Sequence, residues 1–207
     1  MDEKPRRGRG RPKGTGKVDP DDIIDAAVGA LTNGGYRGLS MRGVARTLGV
    51  SLSSVQHHYP TKDDLWRACV DHLTSEATLR DRDHGPPDLA RSITDFLEFH
   101  SSRPGLLAAL LTDSDVGSTE RIAYLAENFA KMLAGPTEEL RDLNVMGLTR
   151  PVSANAFFAL MTIGIGSIAG AGHALKAIYG FDITTDQGRI DLATDLADII
   201  SLGVLQR

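Results

Sequence analysis

The chain of 207 residues holds one cysteine, Cys69, and few aromatic side chains, 5% of the total. A lone cysteine excludes disulfide frameworks within the chain and cysteine-rich zinc sites. Cys69 stands four residues after Leu65 and four before Leu73, the spacing of a buried helix-core thiol. Alternating strand patterns and internal repeats are missing throughout. Among the six histidines there is no His-Glu-x-x-His pair, and no Gly-x-Ser-x-Gly elbow occurs. The carboxylates are scattered over helix-surface positions. No catalytic residue, metal or cofactor is therefore expected. Gly164-Ile165-Gly166 followed by Gly170 misses the dinucleotide-binding spacing by one, and no strand precedes it. No large apolar residue stands between Met1 and Val18, which excludes a secretion signal. These absences together fit a reducing, cytoplasmic location.

What is present is uneven in charge. The net charge is −4, yet residues 1–62 hold 11 Lys/Arg against 6 Asp/Glu, and residues 63–207 hold 12 against 21. A basic head on an acidic body points to a head that meets polyanions. The positive charge concentrates in residues 1–17, where seven Lys/Arg face Asp2 and Glu3. That tail lacks the apolar residues needed to offset the entropy of folding and is expected to be disordered alone. Within it, Arg9-Gly10-Arg11-Pro12 resembles an AT-hook core, followed by Lys13. Glycine lets an extended backbone enter a narrow minor groove, where arginines meet the negative potential of A·T tracts.

Helical periodicity runs through the rest. Asp19-Pro20-Asp21-Asp22 opens a first helix with a buried stripe of Ile23, Ile24, Ala27, Val28 and Leu31, closed by Gly34-Gly35. Ser40 caps a second, with Met41, Val44, Ala45 and Leu48 on one face and Gly49 as its left-handed terminator. Val50 fills the turn and Ser51 caps a third helix. That helix is expected to bury Val55 and Tyr59 and to expose Leu52, Ser53, Ser54, Gln56 and His57. Two short helices joined by a tight turn, the second small and polar outside, fit a DNA major groove. Thr61 and Asp64 form a capping box for a fourth helix with an apolar side of Leu65, Trp66, Cys69, Val70 and Leu73. Further helices are expected at about 88–102, after Gly105, at about 118–134 with a break at Gly135-Pro136, from Thr137 to about Asn144, from Pro151 to near Gly180, and over 186–205.

At this point a family resemblance is visible. Gly-Gly-Tyr, Ser-Met-Arg-Gly-Val-Ala, Leu-Gly-Val-Ser and His-His-Tyr-Pro-Thr-Lys-Asp-Asp-Leu, in that order over about residues 20–70, resemble the TetR (tetracycline-repressor-type) family of bacterial transcription regulators. The resemblance implies an all-α fold: a disordered basic tail (1–17), a helix-turn-helix DNA-binding domain (18–62) and a helical ligand-binding and dimerisation domain (63–207). It implies an effector pocket among the later helices and a dimer built by the last two. The chain departs from the family pattern where Leu52 and Ser53 replace the usual lysine and glycine, Gln56 a tyrosine, and Tyr59 a phenylalanine. Its recognition helix has no Lys or Arg. Base reading then falls to Leu52 against a thymine methyl, to Ser53 and Ser54 beside the capping Ser51, and to Gln56. Phosphate clamping falls to Arg42, Arg46, His57 and Lys62, aided by the tail.

Pro151 to Leu175 contains no Asp, Glu, Lys or Arg. Its length could span a bilayer, but Asn155, His173 and the many Gly and Ser residues favour a helix buried all round, between the body's core and a second subunit. Gly166 and Gly170 would permit close approach there, with Ile190, Ala193, Leu196, Ala197, Ile200 and Val204 as the partner stripe on the last helix. Phe96, Phe99, His100, Leu107, Leu110, Leu111, Phe129, Met132, Phe157 and Met161 are candidates for the pocket lining. With few charges among them, a small, mostly apolar effector is expected, transmitted to the head through the fourth helix. The reading is a homodimeric, non-enzymatic transcriptional regulator, a ligand-relieved repressor of a palindromic operator. The alternatives are an architectural or activating protein of A·T-rich DNA that relies on its tail, and a helical ligand-binding protein or enzyme with a vestigial head.

Overall fold

The computed structural model describes residues 18–82, 89–103, 106–107, 109–111 and 119–204. The basic tail with Arg9, Arg11 and Lys13 lies outside them. Helix α1 (Pro20–Gly38) begins where Asp19 accepts the Asp21 amide at 3.1 Å. Its regular turns end at Gly34 and Gly35, and Gly35 (φ +58°) redirects the chain toward Leu39. Helix α2 (Met41–Leu48) is capped by Ser40 Oγ, which accepts from the Gly43 amide. It ends at Gly49, whose φ of +67° is the left-handed conformation that a side chain would strain. Helix α3 (Leu52–His58) starts at Ser51, whose Oγ accepts the Ser54 amide at 3.1 Å. Val55 is its one buried residue. Tyr59, expected to be buried too, is only half-buried, because it follows the helix as its C-terminal cap and lies at the edge of the head's core.

Helix α4 (Lys62–Arg82) carries the expected capping box. Asp64 accepts from the Thr61 amide (3.0 Å), and Thr61 Oγ1 accepts from the Asp64 amide (3.1 Å). Its Leu65, Trp66, Cys69, Val70 and Leu73 are buried in one cluster with the head residues Ile23, Leu31, Val44 and Val55. The cluster continues into the body through Phe99, Leu106, Leu110 and Leu125. Cys69 is fully buried, which pushes its thiol pKa up to about 12 and leaves it an inert core group.

The body is helical throughout its described residues: α5 (Leu89–Ser101), a helical piece at 106–107 and 109–111, α6 (Thr119–Val145), α7 (Ala154–Ala159), a π-helical turn (Leu160–Ile165), α8 (Gly166–Gly170), α9 (Gly172–Tyr179) and α10 (Asp186–Val204). A second core joins Ile93 and Leu97 of α5 to Ile165, Ala169, Leu175, Ile183, Leu192, Ala193 and Ala197.

Gly135-Pro136 does not break the seventh predicted helix. α6 runs through it as one element of 27 residues, anchored by Leu125 before it and Leu140 after it. Packing at both ends outweighs a local preference of about 3 kcal/mol against an interior proline. The long eighth predicted helix is not continuous. It passes through the π turn, leaves helical geometry at Ala171 (φ −104°, ψ 22°) and bends by 82° before α9. Gly170 and Gly172 weaken the helix on either side of Ala171, and a Cβ on Gly172 would sit 3.3 Å from Ile183, a side chain the bend admits to the core. Nor is this stretch buried all round within one chain: Ile165, Ala169 and Leu175 are buried, while Leu160 is 61% exposed and Ile163 53%. Among the described residues no single helix is long and apolar enough to cross a membrane.

Continuity through Pro136 has a measurable consequence. Pro136→Ala should restore the hydrogen bond to the carbonyl four residues earlier and stabilise the protein by about 1–3 kcal/mol in urea unfolding. Unchanged or lower stability would show that the helix is interrupted there after all.

Candidate nucleic-acid interface and ligand cleft

α3 stands on Val55, the one side chain it sinks into the core. Around that anchor Ser51, Ser53, Gln56 and His57 are exposed, and Leu52 and Ser54 are half-buried. Ser51 Oγ lies 2.8 Å from Ser53 Oγ and 2.7 Å from Ser54 Oγ, so the three hydroxyls hold one another as well as the cap. Gln56 is thus the long polar side chain on this face with a free choice of partner orientation. Arg42 and Arg46 are exposed on α2. Lys62, at the first turn of α4, has its ammonium 4.0 Å from the centre of the Tyr36 ring. This surface offers cations at its flanks and uncharged hydrogen-bonding groups at its centre, the distribution suited to phosphates outside and base edges inside.

A cleft of about 520 Å³ opens between α6 and the α7–π segment. Leu111, Phe129, Leu133, Phe158 and Ile163 give it an apolar wall. Asn155, Glu138 and Arg141 also line it, and all three are exposed. An apolar cavity with a few polar groups is the usual form of a small-molecule site. Among the described residues there is no cluster of His, Cys, Asp and Glu that could hold a metal ion.

With both sites described, comparison with known proteins is decisive for the head. Residues 23–69 match the model of the bacterial regulatory proteins of the tetR family. Over 60 residues the chain is 38% identical to the HTH-type transcriptional regulator CymR of Pseudomonas putida, a match that covers 29% of this chain and 30% of that one. Within the head, residues 23–69 are therefore similar in sequence to the DNA-binding segment of tetR-type regulators. Whole-chain likeness extends to solved structures. A transcriptional regulator from Rhodococcus superposes with a TM-score of 0.64 at 21% identity, covering 90% of this chain and 98% of that one. A candidate regulator from Saccharomonospora viridis in complex with choline gives 0.62 at 18%, covering 90% and 97%. The fatty acid degradation regulator FadR from Bacillus halodurans gives 0.60 at 16%, covering 86% and 97%. The whole chain therefore has the TetR-like all-α fold.

In the head, Ser51, Ser53, Gln56 and His57 are exposed as expected, Leu52 and Ser54 are half-buried where the sequence reading has them facing outward, and Lys62 is braced on the Tyr36 ring. The body is different. Of the expected pocket residues, Phe129 and Leu111 line the cleft. Phe99, Leu107 and Leu110 are buried core, and Phe96 and Met161 pack against the second core. Met132 and Phe157 are half-buried beside the cleft without lining it. His100 is buried with its ring 4.2 Å from that of Phe96 and 5.0 Å from that of Phe99. The expected dimer residues are also redistributed. Ala193 and Ala197 are buried against α5 inside one chain, and Leu196 and Ile200 pack on the same core. Gly166 is filled from within its own chain, since a Cβ there would come 2.3 Å from Leu107. Ile190 and Gly170 remain exposed.

The cleft residues that the sequence reading passes over do carry a signal. Leu133, Thr137 and Arg141 follow Phe129 at every fourth residue along one helix face, but only if α6 continues through Pro136. A predicted break at that proline hides the stripe.

Burial lowers the His100 pKa from 6.5 to about 4, with a smaller contribution from Arg103. The native state thus holds the neutral ring while the unfolded chain takes up a proton. Its stability contribution is full above pH 6.5 and declines as pH falls toward 4, by about 3 kcal/mol. His100→Leu should remove most of that acid-side slope in unfolding measured at several pH values. A variant with the wild-type slope contradicts this assignment.

Proposed function

We propose that this protein is a TetR-type transcriptional regulator that binds a palindromic operator as a homodimer and releases it when a small, mostly apolar molecule fills the cleft between α6 and α7. The observation that carries the reading is α3: a Ser51-capped helix anchored by Val55 alone, with Ser53, Gln56 and His57 turned to solvent and Arg42, Arg46 and Lys62 flanking it. Leu52 meets a thymine methyl and Gln56 a base edge, while the cations clamp phosphate. The tail, with Arg9, Arg11 and Lys13, supplies the charge the recognition helix lacks and reaches the minor groove beside the operator.

Support for the dimer comes from apolar groups left open in one chain. Leu160 in the π turn, and Ile199 (66% exposed) and Leu202 (64% exposed), three residues apart on α10, are large apolar side chains left open to water in one chain. Paired across a two-fold axis, α10 and the α7–α9 segment of two chains form a four-helix seam. The two recognition helices then meet half-sites about one DNA turn apart, or modestly more. In the cleft, Phe129 and Phe158 stack on the apolar part of the effector, and Arg141 and Glu138 stand where a polar end would emerge.

Two experiments test this. Deleting residues 1–17 should flatten the salt dependence of DNA binding by several units, at about 0.9 for each phosphate that the tail neutralises; an unchanged slope refutes the tail's role. Ile199→Glu combined with Leu202→Glu should turn a dimer into a monomer in sedimentation and abolish cooperative occupation of the two half-sites. A double variant that sediments as the wild type refutes this seam.

A further inference from the structure

The cleft between α6 and the α7–π segment changes character along its length. One end lies at the connection from α6 to α7, and that connection is pinned. Thr149 is buried, and its Oγ1 donates to Asn144 Oδ1 at 2.6 Å. Asn144 Nδ2 in turn donates to the Val152 carbonyl at 3.3 Å. The last turn of α6 is thereby held beside the start of α7. Arg141 stands three residues before Asn144, and Asn155 three after Val152, so the pin sets both at this end of the cleft. Back along α6 from Arg141 the wall becomes apolar, through Leu133 to Phe129. Forward from Asn155 it becomes apolar through Phe158 to Ile163. From Phe129 to Arg141 is twelve residues, about 18 Å of helix.

The polar end holds one charge of each sign, Arg141 and Glu138. In the body Arg103, Arg121, Lys131, Lys176 and Arg189 each hold a carboxylate. Among the described residues Arg141 holds none, although Glu138 stands one turn before it on the same helix. The two charges also differ in place. At 100° per residue, the α6 positions that line the cleft spread over about half a turn of the helix. Thr137 and Arg141 lie near the middle of that arc, and Phe129 and Glu138 at its two edges. Arg141 therefore brings an unpaired guanidinium to the centre of the cleft face, with the Thr137 hydroxyl one turn below it. Glu138 sits on the rim, where water and salt screen its charge.

We infer that the cleft takes an amphipathic organic monoanion. Its apolar body lies along Phe129, Leu133 and Phe158, and its carboxylate or sulfonate head rests on Arg141 beside the donors of Thr137 and Asn155. The planar guanidinium offers such a head two parallel N–H groups, a match that neither an alcohol nor an ammonium can make. A cationic head would meet Arg141 at the middle of the face. Glu138 on the rim opposes a second negative charge, which limits the class to single anions. This assigns the chemistry of the effector and rests on the reading of the cleft as the effector site, and the test separates the two.

The test titrates the full-length protein by calorimetry with three compounds that share a ten-carbon chain: decane-1-sulfonate, decan-1-ol and decyltrimethylammonium, each below its micelle concentration. The sulfonate should bind about fivefold more tightly than the alcohol, the value of one exposed ion pair, and the ammonium most weakly. Arg141→Met should erase the sulfonate's advantage and leave the alcohol's affinity unchanged, a selective loss that a folding defect would not give. Glu138→Gln should tighten the sulfonate further. Ala130→Trp places a ring in the cleft and should weaken all three compounds alike. An alcohol or ammonium that binds as tightly as the sulfonate, or an Arg141→Met protein that keeps the sulfonate's advantage, overturns the inference while leaving the effector cleft in place. Absence of binding by all three, or binding that Ala130→Trp does not weaken, overturns both.

Discussion

The burial of one face of α4 holds this molecule together. Leu65, Trp66, Cys69, Val70 and Leu73 enter the same apolar cluster as Ile23, Leu31, Val44 and Val55 of the head and Phe99 and Leu125 of the body. A head of three helices, two of them with only eight and seven residues, has little surface of its own to bury. α4 lends it a core and fixes its start with the Thr61–Asp64 box. The boundary expected at residues 62 and 63 is therefore a change of role more than a gap in packing. The same arrangement makes α3 usable: one buried side chain, Val55, is enough to seat it because α4 and α1 stand behind the cluster.

The head is legible in the sequence because its signals are local. Ser40, Gly49, Ser51 and Thr61 each terminate a helix through a bond to a residue at most four away, and such chemistry depends little on the rest of the fold. The body is less legible for the complementary reason. Whether Gly135-Pro136 breaks a helix depends on Leu125 and Leu140 finding partners on other elements. Whether 151–180 bends depends on Ile183 claiming space against Gly172. Long-range packing decides both, and no window of sequence contains it. The cleft is only partly legible for the same reason: Leu111 and Phe129 are among the expected lining, while Thr137 and Arg141 lie beyond the predicted break at the proline, and Phe158 faces them from another element. The dimer reading takes Gly166, Gly170 and the stripe Ile190, Ala193, Leu196, Ala197 and Ile200 as the seam, but Ala193, Leu196, Ala197 and Ile200 pack on a core within one chain. Ala193 and Ala197 are small because α5 packs on them, and the larger Ile199 and Leu202 carry the open face.

Charge follows the same division. The helix α3 has no Lys or Arg, so under the proposed function attraction to DNA is delegated to Arg42, Arg46, Lys62 and the basic tail, and discrimination is left to short polar groups and Leu52. Delegation carries a hazard, because the acidic body stands directly behind the head. At the junction the answer is visible in geometry: Asp63 is held by Tyr36 and Arg121, and Tyr124 donates to Asp71 at 2.7 Å. These two carboxylates near the head are thereby kept in bonds to their neighbours.

The most direct measurement is to capture genomic fragments with the purified full-length protein at near-physiological salt and sequence them. A few sharp sites sharing an inverted repeat are the predicted result, since the proposed dimer would set two α3 helices on a two-fold axis to read one sequence twice. Broad enrichment of A·T-rich DNA without a repeat would contradict the account and assign binding to the basic tail instead.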